Sequence, residues 1–235
     1  MSTLWPNFQL HLVTEPRRGP EELVRGVAFA LDGGVDLVQL RDKSASAATL
    51  FAQAQQLLPV VHQHGARLAI NDRLDVALAV GAEAVHLAGQ SMPVDAAVSL
   101  AGGRILVGRS VHSLAEAQSA AASGADYVTF GHVFPTTSHP GLPPRGLDEL
   151  REIVQAVNVP VLAIGGITVD TLDDVLATGC AGVAVISAIL SDPDPSRAAS
   201  RLREALDASS HRPRNAFPTP ARRNPHAADH QPTTV

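Results

Sequence analysis

Residues 159–187 read VPVLAIGGITVDTLDDVLATGCAGVAVIS. An apolar run, VPVLAIG (159–165), gives way to a helical stretch, Gly179 halts it, and a second apolar run, GVAVIS (182–187), follows. Two strands joined by a helix in so short a span specify parallel neighbours with a crossover between them. Working back toward the amino terminus, the alternation recurs. FQLHLVT (8–14), VDLVQLR (35–41), RLAIN (67–71), AVHLA (84–88), ILVGRS (105–110) and YVTFGHV (127–133) bring the strands to eight. Between them Leu23, Val27 and Ala30 share one helical face, as do Leu50, Ala54 and Leu57. Ser113 with Glu116 three residues on has the spacing of a capping box. Gly33-Gly34, Gly65, Gly81, Gly124 and Gly179 stop helices just ahead of strands. SRAASRLREALD (196–207) supplies an eighth helix. Eight nearly all-apolar strands alternating with helices predict an α/β fold, a single (β/α)8 TIM barrel. A doubly wound open sheet is the competing architecture. The first strand, however, runs into VTEPRRG and not into a G-x-G-x-x-G turn.

Composition narrows the class. The chain has 235 residues and a net charge of -5, which excludes a basic nucleic-acid surface. No apolar run approaches the roughly 20 residues of a membrane helix. The opening MSTLWPNFQL lacks the pattern of a secretory leader, so a cytoplasmic protein is expected. The single cysteine, Cys180, rules out an internal disulfide. From Asp207 to Val235 the chain has five prolines and no Leu, Ile or Met, so the reading divides it into a barrel over 1–206 and a disordered Pro/Arg-rich tail over 207–235. Whether copies associate into a homo-oligomer is not fixed by sequence.

Barrel active sites lie at the carboxyl ends of the strands. Those ends hold Thr14, then Gln39, Arg41 and Lys43, then Asn71 and Asp72, then Ser110 and His112, then His132, then Gly165-Gly166, and finally Ser187. The Gly-Gly turn exposes backbone N–H groups, and the phosphate site of such barrels follows strands seven and eight. Gly165, Gly166, Ile186 and Ser187 are therefore read as phosphate ligands, against the alternative of ordinary tight turns. Gln39, Arg41 and Lys43 alternate along one face and suit an anionic group or a polar ring. Asp72 could hold Mg²⁺ or simply cap a helix. His132, grouped by parity with Val128 and Phe130 as inward-pointing, is read as the proton-transfer group, an imidazole titrating near neutrality. His86 and His112 come after it, and His11 reads as structural. No H-x-x-x-H pair marks a histidine metal site.

QLRDK (39–43), NDRLDVALAVGAEAVHL (71–87), GADYVTFGHVFPT (124–136), AIGGIT (163–168) and VISAI (185–189) together resemble the thiamin phosphate synthase superfamily over essentially all of 1–190. The resemblance implies one of two activities. Synthases couple hydroxymethylpyrimidine pyrophosphate to a thiazole phosphate with Mg²⁺, and thiazole tautomerases aromatise a carboxythiazole phosphate without metal. In the synthase pattern H-L-G-Q-E/D-D-L-P the second acidic residue is a Mg²⁺ ligand. HLAGQSMP (86–93) puts Ser91 there. The T-x-T-K loop becomes PTTSHPG (135–141), which keeps Thr136 and Ser138 as substrate ligands and puts His139 at the lysine. VGRSVHSLAEA (107–117) and YVTFGHVF (127–134) look like the tautomerase branch.

The reading is then an isomerase, a thiazole tautomerase needing no cofactor. His132 moves the proton, and Gly165, Gly166, Ile186 and Ser187 hold the phosphate. Gln39, Arg41, Lys43, Asn71, Ser110, Thr136 and Ser138 contact a small-molecule thiazole phosphate. The alternative is a synthase with Asp72 on Mg²⁺ and Arg41, Lys43 and Asn71 on pyrophosphate. A silent barrel that binds thiazole phosphate and regulates is the third reading.

Overall fold

The computed structural model describes residues 7–16, 19–138 and 140–217. Eight strands alternate with helices: β1 (Gln9–Val13), α1 (Pro20–Asp32), β2 (Leu37–Leu40), α2 (Ala47–Gln63), β3 (Arg67–Asn71), α3 (Leu74–Val80), β4 (Ala84–Leu87) and α4 (Val94–Ala101). The second half continues with β5 (Leu106–Val111), α5 (Leu114–Ala122), β6 (Tyr127–Gly131), α6 (Gly146–Ala156), β7 (Val161–Ile164), α7 (Val169–Leu176) and β8 (Gly182–Val185). A four-residue helix α8 (Ser187–Leu190) and the closing α9 (Pro195–Ala208) complete it. All pairings are parallel, and β1 pairs with β8, so the sheet is a closed (β/α)8 barrel as expected. Among the described residues no helix is long and apolar enough to cross a membrane.

The core has two regions. Leu10, Val38, Ile70, Val85, Val128 and Phe130 belong to one large cluster that also contains the helix residues Leu23, Val27, Leu50 and Leu57, so these strand positions face the helices. Leu37, Ala69 and Ala84 form a small cluster made of strand residues alone, and Tyr127, Leu162 and Ala181 join Phe217 in another. Side chains alternate across a strand, so these latter positions define the interior of the barrel.

The amino-terminal end of the barrel is closed by the chain's own carboxyl-terminal part. The Arg203 guanidinium on α9 donates to Asp36, 3.0 Å away, and to the Phe8 carbonyl, and Asp36 also accepts the Leu10 N–H at 2.7 Å. Beyond α9 the Arg214 N–H donates to the Gly179 carbonyl, and the Asn215 side chain donates to the Val157 carbonyl. These contacts carry Phe217 into the barrel base, its ring 5.4 Å from Tyr127 and 5.6 Å from His11, centre to centre. The boundary expected at 207 therefore differs from the structure. One buried aromatic and two backbone-directed bonds hold a segment whose average composition reads as unfoldable, and residues 218–235 lie outside the described residues. Phe217→Ala is expected to lower the unfolding free energy by about 3–5 kcal/mol, checked by urea titration, because little can collapse into the vacated base.

Candidate active site at the barrel mouth

The interior face carries a belt of neutral polar groups. Gln39, Asn71, His86, Ser110 and Thr129 stand on β2 to β6 at inward positions, each two residues or a multiple of two from an interior apolar residue or glycine. Four of them are buried, and Ser110 is half-buried. The Gln39 amide donates to Asn71 Oδ1 at 2.8 Å, and Asn71 Nδ2 donates to Asp72 Oδ2 at 2.6 Å. The Asn71 amide is thereby fixed in one orientation.

Asp72 leaves β3 with φ of +61°, a conformation that turns its carboxylate toward the end of β4. There Oδ1 accepts the Ala88 N–H at 2.8 Å and the Ser91 hydroxyl, while Ser91 Oγ shares that same N–H. Both good acceptor positions of Oδ1 are taken, and Oδ2 keeps one. Among the described residues no group of three or more His, Cys, Asp or Glu side chains is arranged to hold a metal. The residues present therefore fit a divalent cation as a single carboxylate ligand. That suffices for Mg²⁺ only if substrate phosphates and water complete the shell.

Cations gather at the rim. Arg41 lies two residues beyond Gln39, half-buried, and its N–H donates to Thr14 Oγ1 at 2.9 Å, tying the ends of β1 and β2 together. Lys43 is exposed on the loop that follows. Across the mouth Gly165 and Gly166 follow β7 with φ of +99° and +68°. A side chain on Gly165 would reach 2.4 Å from His132 Cβ, and one on Gly166 would reach 2.5 Å from the Pro135 carbonyl. Ile186 and Ser187 follow β8, Ser187 opening α8. This short helix escaped the sequence reading because four residues are too few to show a helical period. Its place after β8 is where such barrels put a phosphate-binding extra helix. Thr136 and Ser138 lie on the β6–α6 loop, linked by the Ser138 N–H and Thr136 Oγ1 at 3.3 Å, and His139 lies outside the described residues.

His132 stands apart from this belt. Val128 and Phe130, with which parity groups it, face the helices, and its buried imidazole lines a cavity of about 460 Å³ with His112, Leu142, Arg145 and Glu149. Its Nε2 is 3.3 Å from the Leu142 carbonyl oxygen. The interior histidine near the mouth is His86, which sequence reasoning placed with His112 below His132. The signal was its two-residue step from Ala84, an interior position.

Fold and mouth define the class: a (β/α)8 barrel with polar groups collected at the carboxyl ends of its strands. A family model described as thiamine monophosphate synthase matches residues 10–189, and the chain belongs to that family. A thiamine-phosphate synthase of Pyrococcus horikoshii is 39% identical over 200 residues, 85% of this chain and 95% of that one. Another, of Roseiflexus castenholzii, is 43% identical over 195 residues, 82% of this chain and 86% of that one. Among solved structures, a thiamine phosphate pyrophosphorylase from Pyrococcus furiosus has a TM-score of 0.78 at 39% identity, covering 86% of this chain and 96% of that one. These similarities overturn the expectation of a thiazole tautomerase and, with it, the isomerase class. The proton-transfer role given to His132 was read from strand parity, and the structure places that imidazole away from the interior belt, in the cavity with His112 and Arg145.

Proposed function

We propose that the chain is a transferase, a thiamine-phosphate synthase that couples hydroxymethylpyrimidine pyrophosphate to a thiazole phosphate. The carrying observation is the identity of 39% and 43% with synthases over more than four fifths of the chain. A carbon–nitrogen bond forms to the thiazole ring, the carbon–oxygen bond to pyrophosphate breaks, and pyrophosphate leaves as the anion. Gly165, Gly166, Ile186 and Ser187 would hold the thiazole phosphate through backbone N–H groups. Arg41, Lys43 and Asn71 would hold the pyrophosphate, Thr136 and Ser138 would close over the thiazole side, and the neutral belt would seat the pyrimidine. Asp72 would hold Mg²⁺, which when bound offsets the charge of the departing pyrophosphate. Two anions placed in fixed loops leave the reacting atoms in register, which lowers the entropic part of the barrier.

The full chain, given both substrates and millimolar Mg²⁺, is expected to form thiamine phosphate, to stop in EDTA and to recover when Mg²⁺ is restored. No product under those conditions would overturn the assignment. Ser91 supplies a second test. Ser91→Asp places a carboxylate beside Asp72, and the pair repel until a cation joins them. The substitution should lower the half-saturating Mg²⁺ concentration about tenfold, equivalent to roughly 1.4 kcal/mol. It should also enlarge the rise in melting temperature that Mg²⁺ produces. An unchanged Mg²⁺ titration would remove Asp72 from the cation site.

A further inference from the structure

Beneath the mouth the barrel interior holds a connected set of hydroxyl and imidazole groups. His86 Nε2 is 2.9 Å from Ser110 Oγ, and His86 Nδ1 is 3.2 Å from the Tyr127 hydroxyl. The Tyr127 ring lies in the cross-section opposite Gly108, where a Cβ would come within 2.1 Å of it, so glycine there is what admits the phenol. The His86 ring is buried, and each of its nitrogens faces a hydroxyl, with no carboxylate on either. The same burial, with Asp126 nearby, lifts the Tyr127 phenol well above its usual range. A ring buried between two hydroxyls and lacking an anionic partner is neutral, so one nitrogen donates while the other accepts.

Which nitrogen donates follows from the cost of a buried orphan. Among the described residues the Tyr127 hydroxyl has His86 Nδ1 as its only hydrogen-bond partner. A proton on Nδ1 would leave the phenolic O–H without an acceptor in the barrel interior, a loss of about 1–3 kcal/mol. A proton on Nε2 leaves nothing unsatisfied: Tyr127 donates to Nδ1, and Nε2–H donates to Ser110. We infer that His86 is a positioning residue, holding Ser110 Oγ as an acceptor so that the serine presents its own proton to a lone pair of the substrate heterocycle. The wall around Ser110 supports a heterocycle and not an anion, since Gln39 and Thr129 are uncharged while the arginine and lysine stand at the rim. The inference rests on the synthase reading for the identity of that ring, the pyrimidine.

Two measurements test it. ¹⁵N spectra of histidine-labelled full chain without substrate should show His86 neutral and protonated on Nε2 at pH 7. A proton on Nδ1 would overturn the assignment. In steady-state assays with Mg²⁺, His86→Leu should lower kcat/KM for hydroxymethylpyrimidine pyrophosphate roughly 10- to 100-fold. It should leave KM for thiazole phosphate within about twofold, and in a Ser110→Ala background it should cost less than about twofold, because the effect passes through the serine. His86→Gln, whose amide N–H reaches the place of Nε2–H, should recover most of the loss. Equal losses with and without Ser110 would mean that His86 acts through packing alone. If His86→Leu fails to fold, the glutamine variant and the ¹⁵N assignment decide the matter. Absence of thiamine phosphate from the unaltered chain counts against the synthase reading, and the substrate-free ¹⁵N measurement still decides the proton.

Discussion

Alanine at Gly165 is expected to raise KM for thiazole phosphate by about two orders of magnitude while KM for hydroxymethylpyrimidine pyrophosphate stays within about twofold. Two costs combine at this position. The backbone sits at φ of +99°, where a side chain is strained by about 1–2 kcal/mol. The added methyl would also lie 2.4 Å from His132 Cβ and 2.8 Å from His132 Cα, so the ends of β6 and β7 must separate. The Phe134 N–H bond to the Gly165 carbonyl, 3.0 Å, crosses that gap and would stretch with it. Each backbone N–H moved out of reach of a phosphate oxygen forfeits about 1.5–3 kcal/mol, so losing one or two accounts for the expected change. Gly81→Ala is the control. Gly81 also has positive φ, at +77°, but a Cβ there meets nothing within 4 Å. It should cost about 1 kcal/mol of stability and leave both KM values unchanged. Parallel changes in the two variants would show that strain, and not the phosphate cradle, governs the effect.

The barrel was legible because each strand is an unbroken apolar run, and parallel strands buried on both faces produce such runs. The same property hid which face looks inward. In YVTFGHVF the inward set is Tyr127 and Thr129, not Val128 and Phe130, and only packing across the barrel decides it, Tyr127 filling the space that Gly108 leaves. Capping was legible in part. Ser113 Oγ accepts the Glu116 N–H as the spacing predicts, but Glu116 turns its carboxylate to the His112 N–H, 2.7 Å away. The strings that favoured a tautomerase are occupied largely by packing. Phe130 and Val133 lie in the helix-facing core, Ser113 caps α5, Arg109 donates to the Ala88 carbonyl, and His112 Nδ1 pairs with the Gly131 carbonyl. Letters that serve packing report common descent and carry little chemistry, which is why the activity was misassigned while the family was not. The tie between Asp72 and Ser91 was invisible for a different reason: they stand nineteen positions apart, on either side of a helix and a strand, and the positive φ at Asp72 brings them together.

Between pH 7 and pH 5 the unfolding free energy is expected to fall by about 2 kcal/mol, a net of opposing contributions. Burial holds the His86 imidazole at about 4 and the His11 imidazole at about 3, both well below the ordinary 6.5, with His86 and Arg67 adding to the effect on His11. The unfolded chain takes up a proton at each imidazole below about pH 6.5 and the folded chain does not, so acid pulls the equilibrium toward unfolding. Each imidazole then costs about 1.4 kcal/mol per pH unit until its folded value is reached. Asp36 opposes this over the same window. Burial raises its carboxyl to about 6 against the Leu10 N–H and Arg203, so the folded chain binds that proton first as the pH falls. Two imidazoles against one carboxyl leave the balance destabilising. Urea titrations at pH 7, 6 and 5 read the slope, and His11→Phe should remove most of it, because one remaining imidazole is nearly offset by Asp36. A slope of zero in the unaltered chain would mean that the folded barrel protonates these rings freely. The histidine that keeps a donor aimed at Ser110 is thus also a source of acid lability. Both properties come from the one fact that its ring is buried with a hydroxyl, and no anion, at each nitrogen.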